Sequence, residues 1–387
     1  MWPEQGLWNP CLAALPRGLA EHELVQSAWA GLDASRIWDT HAHLVGTGDS
    51  GSGIEVNPRM DSLLDPGQYA RKLFFLNAGC AHEAPGNVDR AYIERMHNLV
   101  DGLRPGVKLM LYAFDRSHDE RGEVVPAHTA MYVPNAYVRD TARAHAKYFE
   151  WVASVHPYRR DCVDALEAAK REGARAVKWL PGAMGMDPAS PRCDPFYAAL
   201  ARLDLPLITH AGLERAVSGS DTQHYGNPLR LRRALEAGVR VVVAHCASMG
   251  QDIDLDRGAN GPWVESFELF ARLMGEPRWQ GRLYGDIAAM TQTNRAGPAL
   301  ARVVGEEAWQ GRLLNGSDYP LPGVMPIFSI DYLVSLGLLE AAAAPVLKEI
   351  RVHNPLLFDF VAKRALRANG RRLANAVFET RGFFERA

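Results

Sequence analysis

Short apolar segments recur along this chain and alternate with segments whose apolar residues have helical spacing. Runs such as VVVA at 241–244 and PLITH at 206–210 are rich in β-branched residues, which favour strands. Several helical segments between them end at a glycine, as at Gly173 and Gly238, which is a typical helix stop. The predicted strands are 37–44, 108–114, 149–155, 174–180, 205–210, 239–245, 282–287 and 312–318.

Eight strands alternating with helices predict an α/β protein, and their number matches a (β/α)8 TIM barrel. An open doubly wound sheet has the same alternation, so the pattern alone leaves that alternative open. We expect long insertions after strands 1 and 2, at residues 45–105 and 115–137, because usual connections are much shorter. Residues 1–35 are expected to form an N-terminal helical cap, and residues 36–387 a single barrel domain with C-terminal helices.

The composition argues against several classes of protein. The chain has 387 residues, of which 47% are hydrophobic, and this is ample for a large core. Its 43 basic and 45 acidic residues give a net charge of -2, so we expect no nucleic-acid partner. We see no signal-peptide pattern and no apolar run of membrane-spanning length, so we expect no membrane partner.

The cysteines bear on the cellular compartment, and the general frequency of oligomer types bears on the oligomeric state. The five cysteines are scattered and contain no C-x-x-C pair, which argues against a disulfide framework and favours a reducing, cytoplasmic location. A homodimer is the expected oligomer only because dimers are the most frequent oligomers.

Two histidines one residue apart, His41 and His43, end the first predicted strand. Residues i and i+2 of a strand point to the same face, so the two imidazoles would project side by side and form half of a transition-metal site. The pair alone is weak evidence in a chain with 13 histidines. The alternative is two strand-end histidines with no ligand role.

Other chemically active side chains also fall at predicted strand ends, and in a barrel these ends meet at one rim, where the active site lies. Each of them alone is more often a satisfied polar group or a turn residue than a ligand. Their joint occurrence on five strands makes that explanation improbable. Asp286, within the seventh strand, is a weaker candidate. The strand-end set is His41, His43, Lys178, His210, His245 and Asp318.

The segments DTHAHL, ARAVKWLPG, PLITHAG, VVVAHCAS and NGSDYPLPG, in this order, resemble the amidohydrolase superfamily. More narrowly, they are similar to its amidohydrolase-related branch, which includes aminocarboxymuconate-semialdehyde decarboxylase and related hydrolases. The resemblance runs from about residue 37 to about residue 365. It implies a metal-dependent barrel enzyme acting on a small-molecule substrate.

The resemblance also implies roles for individual residues. His41, His43, His210 and Asp318 would bind one metal ion, most often zinc, although nitrogen and oxygen ligands also tolerate Mn, Fe or Co. His245 would carry a proton or polarise a carbonyl beside the metal-bound water, and Asp318 would also take the water's proton.

Lys178 leaves the number of metal ions open. In dinuclear relatives, a lysine at the end of the fourth strand is carboxylated and bridges two metals. His210 and His245 would then serve a second zinc. The alternatives are an unmodified lysine that reaches a substrate carboxylate, or a lysine that points outward.

Three functions remain open from the sequence. The first is hydrolysis of an amide, lactone or ester carbonyl by metal-activated water. The second is metal-dependent, non-oxidative decarboxylation of an aromatic or unsaturated carboxylic acid. The third is a barrel that binds metal or ligand without turnover. The substrate cannot be read from the sequence, because barrel enzymes vary specificity through loops.

Overall fold

A computed structural model describes residues 3–217 and 222–385, which divide into two compact units. The first unit comprises Met1–Ser52, Pro58–Met110 and Ala288–Phe383. The second unit comprises Gly53–Asn57, Leu111–Ile287 and Phe384–Ala387. The predicted cap, residues 1–35, falls within the first unit, and its description as a separate domain stays a prediction.

Strands and helices alternate through much of the chain, which confirms the mixed α/β class. The strands are β1 Trp38–His43, β2 Glu55–Val56, β3 Lys108–Tyr112, β4 Met131–Tyr132, β5 Phe149–Val152, β6 Val177–Trp179, β7 Leu207–His210, β8 Val241–Ala244, β9 Gln251–Ile253, β10 Trp263–Glu265, β11 Leu283–Asp286 and β12 Leu313–Leu314. The helices are α1 Arg17–Ala20, α2 Glu23–Ala28, α3 Pro66–Ala78, α4 Val88–Asp101, α5 Asn135–Ala144, α6 Cys162–Arg171, α7 Pro181–Met184, α8 Asp194–Arg202, α9 Arg232–Glu236, α10 Ser266–Gly275, α11 Pro298–Gly305, α12 Ile330–Ser335, α13 Ala344–His353, α14 Pro355–Ala365, α15 Asn375–Phe378 and α16 Arg381–Phe384.

The second unit is built on a parallel sheet in which β6, β7, β8 and β11 are successive neighbours. Leu207 pairs with Val241, and Val241 pairs in turn with Leu283. A parallel bridge between Ala153 and Val177 joins the chain after β5 to β6. Every residue of β7, β8 and β11 is buried, as expected for a parallel sheet covered on both faces.

Strand β1 of the first unit lies against the chain segment that follows β12. The backbone N–H of Thr40 donates to the Asn315 carbonyl at 3.1 Å, and that of His43 donates to the Tyr319 carbonyl at 2.8 Å. Ala42 and Tyr319 form a parallel bridge. This pairing positions the end of β1 beside residues 315–319.

Residues 263–265 form β10, which pairs antiparallel with β9, and α10 begins directly after it at Ser266. The eighth predicted strand ends early in the structure. The strand predicted over 312–318 is regular only at 313–314. Asp318 has a φ of 62°, in the left-handed region, so the chain cannot continue as a strand there.

Asp252 on β9 is a buried carboxyl group of the second unit. The Ser266 hydroxyl donates a hydrogen bond to it at 2.7 Å. Burial raises the pKa of Asp252 to about 6, although the Ser266 hydrogen bond and Arg230 lower it.

A disulfide bond joins Cys11 to Cys80 in the first unit. The sequence argues against a disulfide framework, and the structure corrects that expectation for this one pair. Residues distant in sequence become neighbours only when the chain folds, and spacing alone carries no sign of it. Cys162, Cys193 and Cys246 are free and buried. The cytoplasmic location stays a prediction, and a disulfide is less usual in a reducing compartment.

Among the described residues, none of the helices combines the length and the apolar character that crossing a membrane requires.

Candidate metal centre

Three side chains of the first unit converge at the end of β1. The Nε2 atoms of His41 and His43 are 3.2 Å apart. Oδ1 of Asp318 lies 3.4 Å from Nε2 of His41 and 3.1 Å from Nε2 of His43. Three potential ligand atoms, two imidazole nitrogens and one carboxylate oxygen, therefore face one point.

The distances between these atoms fit a shared metal ion. Ligands bound at about 2.0–2.2 Å around a tetrahedral ion lie roughly 3.3–3.6 Å apart. Octahedral ligands at about 2.1 Å lie roughly 3.0 Å apart. The observed separations of 3.1, 3.2 and 3.4 Å lie between these geometries. The donor set fits a divalent transition metal, and the spacing favours no single element.

Gly316 allows the segment carrying Asp318 to approach His41 closely. A Cβ atom at position 316 would lie 2.6 Å from Cβ of His41 and 3.0 Å from its backbone nitrogen. The backbone N–H of Asp318 donates to the His41 carbonyl at 2.8 Å. A side chain at position 316 would push the Asp318 carboxylate away from the two imidazoles.

Asp39 links the two segments that carry the potential ligands. Its Oδ1 accepts hydrogen bonds from the backbone N–H groups of Ser317, at 2.8 Å, and His41, at 3.1 Å. Burial raises the pKa of this carboxyl group to about 6, although the hydrogen bonds from Ser317 and His41 lower it. Asp39 therefore positions the site rather than facing the ligand point.

A buried ion pair on α14 supports the same segment. The Lys363 ammonium lies 2.7 Å from the Asp359 carboxylate, and both side chains are at most 2% exposed. Lys363 also donates to the Gly316 carbonyl at 2.6 Å. Burial raises the pKa of Asp359 to about 7, and Lys363 opposes this rise. This pair anchors the backbone two residues before Asp318.

The three potential ligands differ in their exposure to solvent. The side chains of His41 and Asp318 are 1% and 6% exposed, whereas that of His43 is 21% exposed. The Tyr92 hydroxyl donates to the His43 carbonyl at 2.9 Å, which fixes the backbone of the most exposed ligand. His43 is therefore the most solvent-accessible of the three potential ligands.

The other predicted site residues belong to the second unit. Lys178 is buried on β6, and its Nζ lies 5.3 Å from the centre of the Tyr112 ring. Nε2 of His210, at the end of β7, lies 3.1 Å from Oε2 of Glu214. The rings of His210 and His245 are 5.5 Å apart.

His245 follows β8 in a turn rather than in the strand. Its φ is 55°, and its backbone N–H donates to Oδ1 of Asp286 at 2.8 Å. Its Nδ1 lies 3.9 Å from the same carboxylate oxygen. Asp286 is fully buried at the end of β11, so it holds the turn that carries His245.

The structure thus brings His41, His43 and Asp318 together in one unit and Lys178, His210 and His245 to strand ends of the other. Sequence reasoning missed Asp39, Glu214 and the Asp359–Lys363 pair. The two α14 residues have the i,i+4 spacing of a helical ion pair, which is a usable but unspecific signal. No sequence signal separates Asp39 or Glu214 from other acidic residues.

A family model described as Amidohydrolase matches residues 38–356 of this chain. The match confirms the resemblance seen in the sequence motifs. No curated protein sequence matches the chain.

Three of the solved structures that are similar to this chain are a barrel protein and two decarboxylases. A TIM-barrel protein from Bordetella bronchiseptica is 18% identical, with 81% of this chain and 98% of that chain covered and a TM-score of 0.48. A mutant 5-carboxyvanillate decarboxylase of Novosphingobium aromaticivorans, with bound manganese, is 12% identical over 82% and 95%, with a TM-score of 0.46. A 2,6-dihydroxybenzoate decarboxylase is 13% identical over 83% and 97%, with a TM-score of 0.40.

Proposed function

This chain belongs to the amidohydrolase family, and we propose that it is a metal-dependent enzyme acting on a small molecule through His41, His43 and Asp318. The convergence of two imidazole nitrogens and one carboxylate oxygen within 3.4 Å carries the proposal. A divalent cation held there would act as a Lewis acid and lower the pKa of a bound water towards about 7. Zinc and manganese both suit this donor set.

The protein groups around this point have separate tasks in the proposal. Oδ1 of Asp318 faces the two imidazoles, and the Asp318 carboxylate also serves as the proton acceptor in the proposal. His43 lines the side from which a substrate enters, because it is the most exposed of the three. His210 as a further ligand and His245 as proton carrier remain proposals that rest on the family resemblance.

Family membership also implies a (β/α)8 barrel, and the run of neighbouring parallel strands from β6 to β11 supports it. Closure of the barrel and the long insertions after its first two strands are part of the proposal.

Two reactions share this centre. Hydrolysis of an amide, lactone or ester needs a base for the attacking water, and Asp318 can serve. Decarboxylation of an aromatic or unsaturated acid needs a cation for the carboxylate and a proton donor for the carbon, and His245 can serve as donor. Decarboxylation is the activity named for two of the compared enzymes, so it is the first reaction to assay.

Metal content tests the centre itself. We expect purified protein loaded with Zn²⁺ or Mn²⁺ to retain about one ion per chain. His41→Ala and Asp318→Ala should each lower metal affinity at least about tenfold, because each removes one ligand. His128→Ala, which changes an exposed histidine far from β1 in sequence, should leave the metal content unchanged. Equal retention by all the variants would contradict the proposed centre.

Substrate panels test the reaction. The loaded enzyme is assayed for CO₂ release from hydroxybenzoates and unsaturated acids, and separately for hydrolysis of lactones, esters and amides. Activity on one panel that disappears in Asp318→Ala identifies the reaction. Metal uptake without turnover on either panel would favour the binding-only alternative.

The number of metal ions bound per chain tests whether Lys178 is carboxylated. Its Nζ lies 5.3 Å from the centre of the Tyr112 ring, where an unmodified ammonium makes a favourable cation–π contact, and we take one metal ion as the proposal. We expect Lys178→Met to keep the metal content of the wild type. Loss of one of two ions in this variant would instead support a carboxylated, bridging Lys178.

A further inference from the structure

A cavity of about 230 Å³ in the first unit lies between α2, α14 and the segment 372–375. None of the three potential metal ligands lines it. The lining is mostly polar, and the buried side chains of Ala28, Val361 and Leu373 contribute to its smaller apolar part. The volume is slightly below that of typical small-molecule sites, about 300–1,000 Å³, so it suits a compact ligand.

Three arginines line this cavity, Arg364, Arg367 and Arg372, with Glu340 as the acidic residue of the lining. Arg367 is paired with Glu340 at 3.3 Å. Three guanidinium groups and one carboxylate leave a local charge of two positive, although the whole chain has a net charge of -2. This concentration of charge is the feature that requires an explanation.

Arg364 is held in place before any ligand arrives. Its guanidinium donates to the carbonyls of Ala28, at 2.8 Å, and Ala30, at 3.1 Å, and to Oδ1 of Asn375 at 2.9 Å. Three of its five N–H groups are thus used, and two have no acceptor among residues 3–217 and 222–385. A fixed guanidinium with spare donors loses little conformational entropy on binding an oxyanion.

Like Arg364, Arg372 lines the cavity and has no carboxylate partner among the residues that the structure describes. It is exposed on the cavity rim, and the pKa of Arg364 is lowered by burial and then by the nearby charge of Arg372. The adjacent Arg371, by contrast, forms an ion pair with Glu307 and does not line the cavity. Two like charges close together are unfavourable until an anion lies between them.

We propose that this cavity is a second ligand site, separate from the metal centre, that binds a small organic dianion. Arg364 and Arg372 hold the oxyanion group, and the remaining lining, including the buried Ala28, Val361 and Leu373, contacts the carbon skeleton. A phosphomonoester and a dicarboxylate share this chemistry, since arginine forks match both groups. The site does not depend on the proposed reaction.

Calorimetric titration of the full chain with glycerol phosphate, succinate and inorganic phosphate tests the proposal at low ionic strength, where exposed charges are weakly screened. We expect at least one of the two organic dianions to bind once per chain. Tighter binding of glycerol phosphate would identify the ligand as a phosphomonoester, and tighter binding of succinate would identify it as a dicarboxylate. Inorganic phosphate should bind more weakly than glycerol phosphate, because it lacks the carbon skeleton that contacts the rest of the lining.

Arg372→Gln should weaken that binding about tenfold or more, because it removes a charge-assisted hydrogen bond. Glu340→Gln should strengthen it, because it removes the acidic residue and releases Arg367. Arg371→Gln, the matched control one position away, should change it less than about twofold. Absence of binding, or binding that Arg372→Gln leaves unchanged because the anion sits elsewhere, would overturn the proposal.

Discussion

Replacing Lys363 with methionine removes the cation from the buried ion pair that supports the Asp318 segment. The variant leaves the Asp359 carboxylate, 2% exposed, without its partner and the Gly316 carbonyl without a donor. Breaking a buried pair by removing one member costs about 3–5 kcal/mol, and an unsatisfied buried acceptor costs about 1–3 kcal/mol. Because methionine restores some apolar packing, we expect a loss of about 4 kcal/mol in the free energy of unfolding.

Urea denaturation of the metal-free protein at about pH 8 and about pH 5.5 measures this loss. Burial holds the pKa of Asp359 at about 7 in the wild type, and removing Lys363 raises it further. A carboxyl group whose folded-state pKa is raised stabilises the fold at low pH and loses that contribution as pH rises through the folded-state pKa. The deficit of Lys363→Met should therefore be larger at pH 8.

Lys348→Met is the matched control. Lys348 also pairs with carboxylates, Glu4 at 2.9 Å and Asp331 at 2.7 Å, but its side chain is 30% exposed. Partly exposed pairs contribute about 0–1 kcal/mol. A loss below about 1 kcal/mol for Lys363→Met at pH 8, or a loss equal to that of the control, would refute the reasoning. The double variant with Asp359→Leu should recover much of the stability, because it leaves no unpaired charge.

Three further predictions concern other parts of the fold. Gly316→Ala should weaken metal binding at least about tenfold and lower the free energy of unfolding by about 1–3 kcal/mol, because the new Cβ atom has no room. Gly311→Ala, where the Cβ atom would lie in open space, should leave the metal titration unchanged. Asp252→Asn should raise the free energy of unfolding relative to wild type by up to about 3 kcal/mol at pH 8 and by little at pH 4, because the pKa of this carboxyl group is about 6 in the fold. Urea denaturation that shows no such pH trend would contradict this. Cys11→Ser with Cys80→Ser should lower stability by about 4 kcal/mol, the loop entropy for a separation of 69 residues, and should abolish any effect of reductant on thermal unfolding.

The metal-ligand pair shows what could be predicted locally. His41 and His43 are two residues apart on a buried strand, so strand periodicity alone placed their side chains on one face. The order of apolar segments likewise predicted β5, β6, β7, β8 and β11, because a buried parallel strand needs a continuous apolar run. The family motifs lie on these same segments, so recognition of the family needed no coordinates.

The residues that hold the potential metal ligands in place could not be predicted in this way. Asp39, Gly316 and Lys363 act through contacts between residues that lie far apart along the chain, and nothing in their local pattern distinguishes them from other acidic, glycine or lysine positions. The same holds for the Cys11–Cys80 bond and for the arginines that share one cavity.

The sequence by itself determined the main buried strands, the shared face of His41 and His43, and the family to which the chain belongs. These properties follow from residue type and spacing within a few positions. Only the tertiary structure decided that Asp318 approaches the two histidines to within 3.4 Å, and which buried charges hold it there. The physical reason is that burial and electrostatic pairing depend on distances through space, which local periodicity does not encode.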